Sequence, residues 1–235
     1  MQTIGLLGGM SWQSSATYYR LINEGVSERL GGLHSARLCL VSVDFQPIER
    51  LQHAGDWSEM ARRLGAAANG VARGGADFML LCTNTMHKVA DDIAAAIPIP
   101  LLHIGDATGS ALQADGRIRV GLLGTRFTME EDFYRHRLQH NFDIEVLIPA
   151  PATRGEVHRV IYEELCLGNI QERSRQRYLA AIDELADAGA QAIILGCTEI
   201  AMLIDQGMTN IPLYDTTLLH CQAAVQRALP GHEGG

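Results

Sequence analysis

The sequence predicts an α/β protein of two pseudo-symmetric lobes, each a four-stranded parallel sheet flanked by helices, with the active site in the cleft between them. Three observations predict it. Short apolar runs alternate with helix-period segments along the whole chain, the pattern of parallel sheets covered on both faces. Most of these runs end in glycines or small polar turns. Finally, landmarks recur in one order: GLLG at 5–8 and 121–124, 116 apart; Cys-Thr at 82 and 197, 115 apart; Asp-x-Thr at 106–108 and 215–217, 109 apart. Such a series reads as a duplicated unit.

TIGLL (3–7) is the first expected strand, and Gly8-Gly9-Met10 lets the backbone turn before Ser11 caps a helix. Tyr18, Ile22, Val26 and Leu30 recur every fourth residue, and Gly31-Gly32 closes that helix. ARLCLVSVDF (36–45) is the second strand, leading into a loop with Gln46, Arg50 and Gln52. A helix from about Trp57 buries Met60, Leu64, Ala67 and Val71 and ends near Gly74-Gly75. DFMLLC delivers the turn Cys82–Lys88 and a helix to about Ala96; IPIPLLHI (97–104) is a fourth strand whose prolines suit an edge or crossover. The pattern restarts at IRVGLLG (118–124), then FDIEVLI, helices over 153–167 and 170–187, AIILGC, and IPLYD. The tail LPGHEGG (229–235) is expected to be disordered.

Composition bounds the function. At 235 residues and 47% apolar content the chain can bury a sizeable core. Its apolar runs fall far short of the roughly 18 to 20 residues that cross a bilayer, and its start lacks a signal-peptide pattern, so a cytoplasmic protein is expected. The net charge of −8 disfavours nucleic acid as a partner. Five cysteines without CxxC spacing argue against a disulfide framework and a zinc site, and the nine histidines include no HExxH, so no metal is expected. His87, His103 and His220 are expected to be satisfied polar residues. GLLGGM is not GxGxxG, and GxSxG is absent. Lys88 is the only lysine, and it stands in a polar turn without a phosphate cup, which disfavours pyridoxal phosphate.

In an open parallel sheet the ligand sits at the carboxyl ends of the strands, where Gly8–Met10, Cys82–Thr85, Gly124–Thr128 and Cys197–Glu199 all fall. Thiols or hydroxyls facing a ligand from opposite sides suit proton exchange at a carbon stereocentre. Backbone amides at helix N-termini could bind a carboxylate. Cysteine fits the base, because its thiolate becomes available when its pKa is lowered, although an ionised Glu199 would raise it. Cys39, Cys166 and Cys221 are expected in the core.

TIGLLGGMSW, CTNTMHK, GLLGTRFTM, GCTEI and LYDT together resemble the aspartate/glutamate racemase family, which uses no pyridoxal phosphate. The chain is most similar to its enteric-bacterial branch of broad-specificity, or L-aspartate/glutamate-specific, amino-acid racemases. The resemblance spans essentially the whole chain. It implies a cofactor-independent two-base mechanism on a small amino-acid substrate, a homodimer, and two lobes: residues 1–100 with 210–235, and 101–209.

The family pattern at the first motif is Cys-Asn-Thr, whereas this chain has Cys82-Thr83-Asn84-Thr85. Aligning Asn84-Thr85 puts Thr83 at the position of the first catalytic cysteine; matching Cys82 instead would require a one-residue insertion. Adjacent residues at a strand end point to opposite faces, so only one can serve. Thr83 is favoured, with Cys82 packed behind it. Cys197 matches the second cysteine, the base toward the L-substrate. The resemblance implies substrate contacts from Asn84, Thr85, Thr198 and Glu199, with Met10, Thr125 and Thr128 lining the same cleft. Arg50 matches an arginine used for a carboxylate, and Gln52 is a second candidate. A family lysine is replaced here by Cys166, which weakens strict aspartate specificity. A maleate isomerase or decarboxylase of the same fold, and an amino-acid-binding module without turnover, are the alternatives.

Overall fold

The structure, a computed structural model, describes residues 1–231. Two compact units divide it: residues 1–104 with the segment from His220 onward, and residues 105–219. Each is an α/β unit with an all-parallel sheet.

In the first unit β1 (Ile4–Gly8) lies between β2 (Leu38–Ser42) and β3 (Phe78–Leu81). Gly9 turns the chain off β1 at φ +93°, where any Cβ would meet the Val43 carbonyl oxygen at 2.1 Å, so only glycine fits. Ser11 then caps α1 (Trp12–Leu30), its Oγ accepting from the Ser14 N–H at 3.3 Å. Along α1, Tyr18, Ile22 and Val26 are buried as their spacing predicts.

Asp44 caps α2 (Phe45–Ala54), so Gln46, Arg50 and Gln52 stand on a helix and not in the expected loop. The Asp44 cap, with Pro47 tolerated in the first turn, was the available signal. In α3 (Trp57–Arg73) Met60, Leu64 and Val71 are buried as expected, but Ala68 takes the fully buried place expected of Ala67. After β3 a 3₁₀ segment, Thr85–Val89, leads into α4 (Ala90–Ala95).

The expected fourth strand of this sheet is absent. IPIPLLHI makes one isolated bridge, Met79 to Leu101, so the sheet has three strands. Pro98 and Pro100 lack the N–H groups a continuous ladder needs.

In the second unit α5 (Ile104–Ala114), of which only Ile104 belongs to the first unit, precedes β4 (Arg119–Gly124). The sheet order is β5-β4-β6-β7, with β5 Glu145–Leu147, β6 Ile193–Gly196 and β7 Leu213–Asp215. The helices are α6 (Arg126–Glu130), α7 (Asp132–Phe142), α8 (Pro151–Glu163) and α9 (Glu172–Asp187). Finally α10 (Thr216–Ala228) begins in the second unit, and from His220 belongs to the first. There Cys221, Ala224, Val225 and Ala228 pack with Tyr18, Ile22 and Val26. Leu229 joins the same core, so the expected disordered tail does not start there. Residues 232–235 of that tail lie outside the described residues.

Candidate functional site

Every expected turn falls at the carboxyl edge of its own sheet. In the first unit Met10 follows β1 and Thr83, Asn84 and Thr85 follow β3; in the second, Thr125 and Thr128 follow β4 and Cys197, Thr198 and Glu199 follow β6. Thr125 caps α6 with its Oγ1, which accepts from the fully buried Thr128 N–H at 3.3 Å. Arg50 and Gln52 share α2 but part company: Arg50 is exposed and Gln52 is 1% exposed.

Strand register decides how the two Cys-Thr pairs relate. In the first unit Leu7 pairs with Leu81 across β1 and β3. In the second, Leu123, the matching leucine of the second GLLG, pairs with Leu195 across β4 and β6. Two residues beyond Leu81 is Thr83; two residues beyond Leu195 is Cys197. Cys82 therefore corresponds to Gly196. The repeat of 115 that joins the two cysteines is off by one from the register of the fold, which is 114 at these strands.

Burial follows the same alternation. Phe78, Leu80 and Cys82 belong to the core against α1 and α10, whereas Met79 and Leu81 belong to the core against α3. Cys82 is 0% exposed and burial pushes its thiol pKa far up, so it is an inert core residue. Thr83, on the other face, is 9% exposed.

Cys197 is half-buried, and its thiol donates to Glu199 Oε2 at 3.0 Å. Burial, then the negative charge of Glu199, then Cys166, hold its pKa well above the ordinary thiol value. The thiol is thus held protonated, with its hydrogen bonded to the Glu199 side chain. Cys166 was expected in the core but is half-buried, and burial together with Glu199 pushes its thiol up to about 12. It stands on the 3₁₀ segment Leu165–Leu167, anchored by the buried Glu164, whose carboxylate accepts from Ser174 Oγ at 2.5 Å and from Arg159 at 2.9 Å. Thr217 Oγ1 donates to Thr198 Oγ1 at 3.3 Å. Thr217 sits in the second Asp-x-Thr landmark, which is the sequence signal for it.

Among the described residues no helix is long and apolar enough to cross a membrane.

A model of the Asp/Glu/hydantoin racemase family matches residues 7–224. The crystal structure of a candidate Asp/Glu racemase from Yersinia pestis is 51% identical, covers 97% of this chain and 99% of its own, and superposes with a TM-score of 0.91. An aspartate racemase homologue from Pyrococcus horikoshii is 29% identical over 97% of this chain and 99% of its own, with a TM-score of 0.85. The broad-specificity amino-acid racemase RacX of Bacillus subtilis is 24% identical over 174 residues, 74% of either chain.

Proposed function

The chain belongs to the Asp/Glu/hydantoin racemase family and is a racemase independent of pyridoxal phosphate; on that premise we propose that it racemises L-aspartate, L-glutamate or a broader set of amino acids by a two-base mechanism with unequal bases. Cys197, as thiolate after handing its proton to Glu199, takes the α-proton of the L-substrate: the C–H bond breaks, an S–H bond forms, and Glu199 releases the first proton to water. The hydroxyl of Thr83 gives a proton to the opposite face of the carbanion, and water replaces it. Backbone and side chains of Asn84, Thr85, Thr198 and Glu199 hold the α-carboxylate and amino group. Met10, Thr125 and Thr128 line the site, and Arg50 or Gln52 meets a side-chain carboxylate.

The observation that carries this reading is the shared register position of Thr83 and Cys197, one at the end of each unit's central β-pairing. A hydroxyl there can donate, but its pKa far above that of a thiol makes it a very poor base. At saturation, kcat from the L-enantiomer therefore outruns kcat from the D-enantiomer when each is supplied alone, with KM differing in the same proportion. The equilibrium constant stays near one, so the asymmetry is kinetic. The proposal extends to a cytoplasmic homodimer, on the family resemblance alone.

The test is α-proton exchange in deuterated water with L- and D-glutamate and L- and D-aspartate, on wild type, Cys197→Ser, Thr83→Ala and Cys82→Ser. Cys197→Ser should lose about 10³-fold or more of both exchange and inversion, the scale of losing an acid–base group. Full activity in Cys197→Ser, or loss in Cys82→Ser with Thr83→Ala intact, sinks the assignment. Exchange without inversion in wild type points to a same-fold decarboxylase or isomerase, and no exchange at all to an amino-acid-binding module.

A further inference from the structure

Thr83 stands just past the end of the β1–β3 ladder, whose last bond is the Cys82 N–H to the Leu7 carbonyl at 2.9 Å. Beyond it no strand holds the backbone, yet a residue that delivers a proton to one face of a carbon must be held closely. Two side chains take over. Ser14 Oγ, from α1, donates to the Cys82 carbonyl at 3.0 Å and so fixes the peptide on the amino side of Thr83. His87 Nδ1 lies 2.8 Å from the Thr83 carbonyl and fixes the peptide on the carboxyl side.

The partners of His87 also determine its tautomer. A carbonyl only accepts, so Nδ1 carries the hydrogen; the Ile104 N–H, 3.2 Å from Nε2, only donates, so Nε2 presents its lone pair. The ring is 3% exposed and packed edge-on against His103, with centroids 4.4 Å apart, and against His220, 5.9 Å apart. His220 is itself fixed, between the Tyr18 hydroxyl at 2.9 Å and the Leu102 carbonyl at 2.9 Å. One imidazole thus joins the Thr83 turn to Ile104, where the chain leaves the first unit. At the second turn the Cys197 carbonyl takes an ordinary backbone N–H, from Ile200 at 3.1 Å.

We infer that His87 is a positioning residue for Thr83, holding the threonine hydroxyl in line for reprotonation through the Nδ1–H bond to the Thr83 carbonyl. The inference rests on the two-base reading and deepens it. It makes a demand that a merely structural histidine would not. Loss of the bond must impair the step that uses Thr83 and spare the step that uses Cys197.

The two bonds can be separated by substitution. His87→Asn sets an amide nitrogen near Nδ1 and keeps a donor for the Thr83 carbonyl. His87→Gln sets its amide near Nε2, keeps an acceptor for Ile104 and loses the Thr83 bond. In deuterated water with L-glutamate, two rates are followed by proton NMR and chiral chromatography: washout of the α-proton with retained configuration, through Cys197, and appearance of the D-enantiomer, through Thr83. His87→Gln should lower inversion about 10- to 100-fold, the cost of a small misplacement of a reacting group, and leave washout within about twofold. His87→Asn should keep inversion within about threefold. Thr83→Ala should reproduce the pattern of His87→Gln more strongly.

The inference is overturned if both rates fall together in His87→Gln, if Asn and Gln lower inversion equally, or if Gln leaves inversion unchanged. Should His87→Gln fail to fold, Ser14→Ala removes the other clamp and must give the same split, inversion falling and washout persisting; equal loss of both overturns the inference. A wild type that neither exchanges nor inverts sinks the racemase reading itself, which is a different failure.

Discussion

The turns after β3 and β6 carry the same dipeptide, Cys-Thr, and put it to opposite uses. After β3 the cysteine is fully buried among Tyr18, Phe78 and Cys221, and the threonine reaches the other face. After β6 the cysteine is half-buried with Glu199 as its hydrogen-bond acceptor, and the threonine is bonded to Thr217. The difference comes from one residue of register. β6 ends in Gly196 where the first unit already has Cys82, so after β3 the outward position falls one residue later than the dipeptide suggests, at Thr83 instead of the cysteine. Residue identity repeats at 115; the faces of a pleated sheet repeat only when register and sequence agree.

The comparison sharpens most if the two turns can be made alike. Thr83→Cys puts a thiol at both register-equivalent positions. A thiol is a far better base than a hydroxyl, so kcat for the D-enantiomer at saturation should rise about tenfold or more while kcat for the L-enantiomer changes little, the KM for the D-enantiomer rising in step because kcat/KM stays equal for the two. Initial rates from each enantiomer, followed by circular dichroism, give the ratio. An unchanged ratio would mean that position 83 does not face the substrate and that the register argument fails.

A second substitution addresses the inward cysteine. Cys82→Ser replaces a thiol in an apolar core by a hydroxyl with a larger desolvation cost, so it should destabilise the protein by about 1–3 kcal/mol in urea unfolding. Turnover of folded protein should stay within about twofold. A loss of turnover without a loss of stability would return the catalytic role to Cys82.

Much of this was legible in the sequence, and the failures have physical causes. The alternation of apolar runs and amphipathic segments located the seven strands of the described residues within a few residues, because buried parallel strands and covering helices must carry those patterns. IPIPLLHI has a strand's apolar content, but its two prolines remove the hydrogen-bond donors, and composition alone does not say whether one bridge or a ladder survives. Arg50 and Gln52 looked like loop partners because the helix they share begins at a cap, Asp44, that lies inside the expected strand. The resemblance favoured Thr83 over Cys82 by aligning Asn84-Thr85, yet the spacing of the cysteines pointed the other way. Only pairing between strands, which one strand's sequence does not encode, gives register. The contacts of His87 and Cys166 were hidden for the same reason: their partners are distant in sequence or come from a different element.

The smallest expected effect concerns the electrostatics that set Cys197 apart from Cys82. Both thiols are held protonated, Cys82 by burial alone and Cys197 by burial, Glu199 and Cys166. Glu199→Gln removes the charge and leaves the burial, so the pKa of Cys197 should fall toward the ordinary thiol value without reaching it. The sign is fixed. A raised thiol pKa means little thiolate at neutral pH, and lowering it increases thiolate at any pH below the midpoint. Alkylation of Cys197 by iodoacetamide, resolved from the other cysteines by peptide mass spectrometry, should therefore reach its midpoint at a lower pH in the variant. If Glu199 only restrained the thiol, turnover would rise with labelling. In its proposed role as acceptor of the thiol's proton it does more than that, and on that proposal turnover should fall while labelling quickens. The two readouts moving in opposite directions separate a proton acceptor from a neighbouring charge, a distinction the Cys82 turn, with no carboxylate bonded to its thiol, has no means to make.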